Sequence, residues 1–91
     1  MRVVLASLEG PHHGPASPGA LALLTDLVWA HAATTNGLEH VRARASADGA
    51  DLYLFLRAAS EALALDQARA ILDGARASLS VHGYSTAAPH R

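Results

Sequence analysis

The periodicity of apolar positions changes several times along this chain, and each change marks an element. Val3 to Leu8 is a short apolar run closed by Gly10-Pro11, which predicts a buried strand. Residues 10–16 hold two Gly, two Pro and two His, a loop composition. Ser17-Pro18 then opens a helix, because Ser caps well and Pro at the first helical position gives up only an N–H that would be orphaned there. This helix is expected to reach about Thr35 and to end at Asn36-Gly37, residues that tolerate the left-handed cap. From Leu38 to Ala45 the period becomes two, with His40, Arg42 and Arg44 against Val41, Ala43 and Ala45. Asp48-Gly49 reads as a two-residue hairpin turn, and Leu52 to Arg57 as the returning strand.

Beyond the hairpin, Ser60 caps a second helix predicted to run to about Ala77, with Ala64, Leu65, Ala68, Ile71, Leu72 and Ala75 as its apolar stripe. Asp66, Arg69, Asp73 and Arg76 line its opposite, solvated side, and Gly74 weakens its interior. Leu79 to Ser85 reads as a short fourth strand, and residues 86–91 as a frayed polar tail. The order strand, helix, strand, strand, helix, strand predicts an α+β fold over residues 1–85. It is a ferredoxin-like plait, with a four-stranded antiparallel sheet covered on one face by two helices.

The hairpin carries most of the functional information. A turn at Asp48-Gly49 sets Ala45 opposite Leu52, Ala43 opposite Leu54 and Val41 opposite Leu56, all aliphatic. On the other side Arg44 meets Tyr53, Arg42 meets Phe55 and His40 meets Arg57. The aliphatic side must face the helices, which leaves rings, arginines and a histidine on the uncovered face. His82 and Tyr84 are expected to join them from the fourth strand.

Composition narrows the field. Net charge is −1, and all seven cations are arginine. Alanine and arginine bias reads as a GC-rich, bacterial coding background. The near-neutral charge argues against a nucleic-acid reader driven by phosphate attraction, although Tyr53-Leu54-Phe55 imitates the ring spacing of RNA-binding plaits. With no cysteine there is no disulfide framework, thiolate metal site or cysteine nucleophile. No apolar stretch is long enough for a membrane helix, and Met1 to Leu8 lacks the features of a signal peptide, so a cytoplasmic location is expected.

Candidate chemistry is sparse. No phosphate-cradling loop, nucleophile elbow or His-Glu-x-x-His is present, and nothing calls for a nucleotide, flavin, haem or metal cofactor. His12 and His13 lie at the same end of the sheet as the Asp48–Asp51 turn but read as solvated loop residues rather than zinc ligands. His31 shares a helical stripe with Leu24 and Val28 and reads as a satisfied, partly buried histidine. Trp29, on the opposite flank, reads as a surface ring or a contact with a partner subunit. Glu9 and Glu39 stand at strand ends with no paired acid at useful spacing.

The Leu38–Arg57 hairpin with its ring-bearing face, flanked by two helices, is similar in topology to many small plaits. Among them is the dimeric α+β barrel group, which includes cofactor-independent monooxygenases, cyclases and other tailoring proteins of bacterial natural-product pathways. That resemblance implies a homodimer packed sheet against sheet, and no catalytic residue carries across from it. Two functions are expected from the residues. The first is a cofactor-free tailoring enzyme for an apolar or peptidic metabolite. In it Arg42, Arg44, Tyr53, Phe55, Arg57 and Tyr84 bind substrate while His40 or His82 moves protons. The second is a non-catalytic ligand-binding or assembly module that uses the same face as an interface.

Overall fold

The computed structural model describes residues 1–11, 14–32 and 37–86. Its elements are β1 (Arg2–Glu9), α1 (Pro18–Ala32), β2 (Leu38–Ser46), β3 (Gly49–Leu56), α2 (Glu61–Val81) and β4 (Ser85–Thr86). The strands form one antiparallel sheet in the order β2-β3-β1-β4. This is the ferredoxin-like plait that the element order implied, with both helices on one side.

The core lies between helices and sheet. Val4, Ala6 and Leu8 of β1, Val41 of β2 and Leu52, Leu54 and Leu56 of β3 point into it. They meet Leu24, Val28 and Ala32 of α1 and Ala64, Ala68, Ile71, Leu72, Ala75 and Leu79 of α2. The small Ala residues of α2 let it lie close to the sheet, and the leucines of β3 fill the middle. Val3 lies 43% exposed, so β1 is buried on one face only, not on both as its continuous apolar run implied. His31 Nε2 meets Ser78 Oγ at 3.1 Å and ties α1 to α2, but at the surface rather than in partial burial.

The hairpin turns at Ala47-Asp48, one residue before the predicted position. From His40 to Ser46 each β2 residue therefore faces the β3 residue two places earlier than expected, and an irregularity between Leu38 and His40 displaces Leu38 one place further. Arg44 is opposite Asp51, Arg42 opposite Tyr53 and His40 opposite Phe55. Gly49 explains the shift. It is buried in the ladder between Ser46 and Glu9, where a Cβ would lie 2.3 Å from the Leu8 carbonyl oxygen and 2.7 Å from the Gly10 nitrogen. The missing side chain serves close strand approach and not turn conformation. Because the displacement is an even number of residues, the side chains paired between His40 and Phe55 keep their predicted face.

The predicted fourth strand is the largest correction. Residues 79–81 continue α2, because Leu79 extends the stripe from Ala75 at helical spacing. The helix stops in a left-handed glycine cap. Gly83 has φ 84°, its N–H donates to Ser80 O at 2.9 Å, and the Tyr84 N–H donates to Leu79 O at 2.9 Å. Ser85 and Thr86 pair with Glu9 and Leu8, so Thr86 belongs to the sheet and not to the tail. The predicted end of α1 at residues 33–36, the loop histidines at 12 and 13, and residues 87–91 lie outside the described residues.

Two substitutions test these local accounts. Gly49→Ala drives a Cβ into backbone and should cost about 1–3 kcal/mol or more, read as a lower urea midpoint. Gly74→Ala meets only His31 side-chain atoms at 3.9 Å, an ordinary contact, and should raise stability by about 0.5–1 kcal/mol. Separately, the Ser60 side chain accepts the Leu63 N–H at 3.1 Å, so Ser60→Ala should lower stability by about 1 kcal/mol.

Candidate interaction surface

Among the described residues no element covers the side of the sheet away from the helices, and strand register arranges it in rows. The first row runs His40, Phe55, Val3 across β2, β3 and β1; the second runs Arg42, Tyr53, Leu5; the third runs Arg44, Asp51, Ser7. Alternation along each strand makes this inevitable, since the intervening residues Val4, Ala6, Val41, Leu52 and Leu54 are spent on the core.

Three chemical zones result. Phe55, Tyr53, Val3 and Leu5 form an apolar band over the two central strands, with the rings half-buried. His40 stacks on the band's edge, its ring centroid 5.4 Å from that of Phe55 at 43°. Arg42 and Arg44 stand along edge strand β2 and, with Tyr53 and Phe55, wall a hollow of about 210 Å³. At the far end of the same face Ser7, Glu9, Asp48, Asp51, Ser85 and Thr86 surround a recess of about 430 Å³. There Ser7 Oγ donates to Asp51 Oδ1 at 3.2 Å.

The cations sort into two groups. Arg57 pairs with Glu39 at 3.0 Å, Arg76 with Asp73 at 2.6 Å, Arg69 with Asp66 at 3.7 Å and Arg2 with Glu61 at 3.9 Å. Among the described residues the guanidiniums of Arg42 and Arg44 meet no carboxylate at such distances. Two arginines that meet no counter-charge among the described residues therefore sit side by side on the open face.

Of the residues singled out in the sequence, Arg42, Arg44, Tyr53 and Phe55 come together around one hollow, with His40 at its rim. The other three are elsewhere. Arg57 falls just past the end of β3, where its N–H bonds to Gly37 O at 2.8 Å and its side chain turns to Glu39. His82 is the exposed C-cap of α2, and Tyr84 is buried in the core at 8% exposure. Both leave the open face because the helix absorbs the residues that were read as strand. His82 and Tyr84 instead line a separate pocket of about 340 Å³ with Pro11, Pro15, Ser17 and Leu23.

Sequence reasoning missed Val3 and Leu5, half of the apolar band, because a continuous apolar run does not say which of its residues face a core. It also missed that Glu9, Asp48 and Asp51 share one recess, which depends on β1 pairing with β3. Among the described residues no three His, Asp or Glu side chains are placed to hold a metal ion, and no helix is long and apolar enough to cross a membrane. No family model, curated protein or solved structure matches the chain, so what the open face does must be argued from its geometry.

Proposed function

We propose that the open sheet face is the working surface of this protein and that its occupant is a second copy of the chain, making the protein a homodimeric assembly module. The observation that carries this reading is the apolar band of Val3, Leu5, Tyr53 and Phe55, spread over the central strands with no element of the described residues above it. Leaving apolar area in water forgoes about 25 cal/mol per Å², and a short chain has little other area to bury. A contiguous band of this kind, rimmed by polar groups, is the signature of an association site. The same face also carries cations at one edge and carboxylates at one end, so it holds its own complement, as a two-fold interface between identical chains requires. The hollow beside Arg42 is below the roughly 300–1,000 Å³ range of sites that enclose a metabolite, which favours an interface over a closed substrate site in one subunit.

One observation favours a second reading, the cofactor-free tailoring enzyme. His40 lies against Phe55 at the rim of the arginine-lined hollow, where a facing copy would roof the site and double its volume. A carboxylate or developing oxyanion on an apolar or peptidic metabolite would then lie between guanidinium groups, with the imidazole beside it. In that arrangement Arg42→Ala leaves the dimer intact and removes a small molecule seen by native mass spectrometry. In the assembly reading the same change weakens the dimer.

The assembly reading is tested by light scattering and sedimentation. The wild-type chain should be dimeric at micromolar concentration. Phe55→Asp should raise the dissociation constant at least about 30-fold, a loss of ~2 kcal/mol, while the far-ultraviolet circular dichroism stays that of the wild type. A wild-type chain that stays monomeric up to about 1 mM would remove the basis for this function.

A further inference from the structure

We infer that the outer edge of β2 takes up an extended acidic segment of another protein, which joins the sheet as a further strand beside Arg42 and Arg44. The inference goes beyond the self-association reading, because it concerns the edge of the sheet and not its face.

β2 stands at one end of the strand order and, among the described residues, pairs with β3 alone. Edge strands are ordinarily blunted by short length, proline or a bulge. β2 is nine residues long and holds no proline, and its register irregularity lies at its start, between Leu38 and His40. From His40 to Ser46 the ladder is regular. The phase of its hydrogen bonds follows from the Gly10 N–H, which donates to Asp48 O at 2.8 Å and so turns the even-numbered residues of β3 toward β1. The odd-numbered residues Asp51, Tyr53 and Phe55 then bond to Arg44, Arg42 and His40. Val41, Ala43 and Ala45 are left with their N–H and C=O groups directed outward, and none of these groups bonds to another element among the described residues. The methyl side chains of Ala43 and Ala45 leave a second backbone room to approach.

Charge selects the occupant. A two-fold axis normal to the sheet would set β2 antiparallel to its own copy. Centred on Arg42 or Arg44, it puts that arginine opposite itself; on Ala43, it puts Arg42 opposite Arg44; on Val41, it puts Arg42 opposite His40. Centred on Ala45 it leaves only residues 44–46 to pair, and centred on His40 it brings in the irregularity after Leu38. Like charges directly opposite each other destabilise a strand pair, so the edge rejects its own copy. An acidic strand meets the reverse situation. With Val41, Ala43 and Ala45 bonded to it, Arg42 and Arg44 fall at the non-hydrogen-bonded positions of an antiparallel ladder, where opposed side chains come closest. Neither guanidinium meets a carboxylate among the described residues, and an acid at every second residue of the incoming strand supplies one to each. The 91 residues contain no two acids spaced two apart, so a partner provides that segment.

The probe is a fluorescent peptide of about seven residues, a usual strand length, in which glutamate alternates with valine. By polarisation at low ionic strength it should bind at least about tenfold more tightly than the same peptide with lysine for glutamate, and Arg42→Glu combined with Arg44→Glu should reverse that preference. On saturation the amides of Val41, Ala43 and Ala45 should gain at least about tenfold protection from hydrogen exchange, while those of Arg42 and Arg44, already bonded to β3, change little. Ala43→Pro should weaken binding at least about tenfold and leave the circular dichroism unchanged, because its lost N–H faces outward. Two further peptides carry N-methyl groups on the valine or on the glutamate nitrogens; one should bind at least about tenfold more weakly and the other within about threefold of the parent, as an alternating ladder requires. Should Ala43→Pro fail to fold, these peptides decide, since they leave the protein untouched. No binding below about 1 mM, equal binding of the lysine peptide, or equal binding of both N-methylated peptides overturns the inference. So does binding that leaves the three outward amides unprotected, which would mean that the guanidiniums hold carboxylates without strand addition.

Discussion

Two helices on one side of a four-stranded sheet leave the other side bare, and this geometric fact governs the rest of the molecule. Each strand alternates its side chains between the two sides, so the residues that build the core and those that meet the surroundings interleave along the chain. The leucines of β3 at 52, 54 and 56 cannot be buried without turning Tyr53 and Phe55 outward. In β1 the same parity turns Val3 and Leu5 outward beneath them. No element among the described residues covers that second side, and the apolar content there makes it the face where interactions are expected.

The end of the sheet that carries the carboxylates is shaped by backbone approach. Gly49 lets β1 close on the start of β3, and the Gly10 N–H bonds to the Asp48 carbonyl at 2.8 Å. Gly83 lies against the Pro11 ring, where a Cβ would come within 2.7 Å of it, and its left-handed cap redirects the chain so that Tyr84 enters the core. These contacts bring Ser85 and Thr86 of β4 beside Glu9 and Leu8. The recess of hydroxyls and carboxylates lies between that strand and the tight hairpin. Packing at this corner and charge on the open face are therefore linked, and a change to one alters the other.

The electrostatic layout divides the arginines by their surroundings. Arg69 and Arg76 pair with acids three residues away on α2, and such exposed pairs contribute little, a few tenths of a kcal/mol each. Arg57 closes onto Glu39 where the hairpin strands end. Among the described residues Arg42 and Arg44 face no such partner, and their position beside two half-buried rings distinguishes them from the solvated pairs on the helix. Their guanidiniums are planar and weakly hydrated, which suits them to an interface that must shed water.

Much of this was legible in the residues themselves. Period-two alternation determined which side chains of 40–45 and 52–56 share a face, and that assignment survived a register displaced by two residues because the period is also two, whereas Arg57 falls past the strand end. Ser60 as a cap, the helical stripe of α2 and the element order determined the plait. Tertiary structure alone decided the rest. Whether Gly49 serves a turn or a close approach depends on β1, which is far away in sequence. Whether residues 79–84 extend a helix or pair as a strand depends on the core that receives Leu79 and Tyr84, since a short apolar run fits both periods. The partners of each charged side chain likewise depend on which strands lie side by side, a property of long-range pairing that local pattern does not encode.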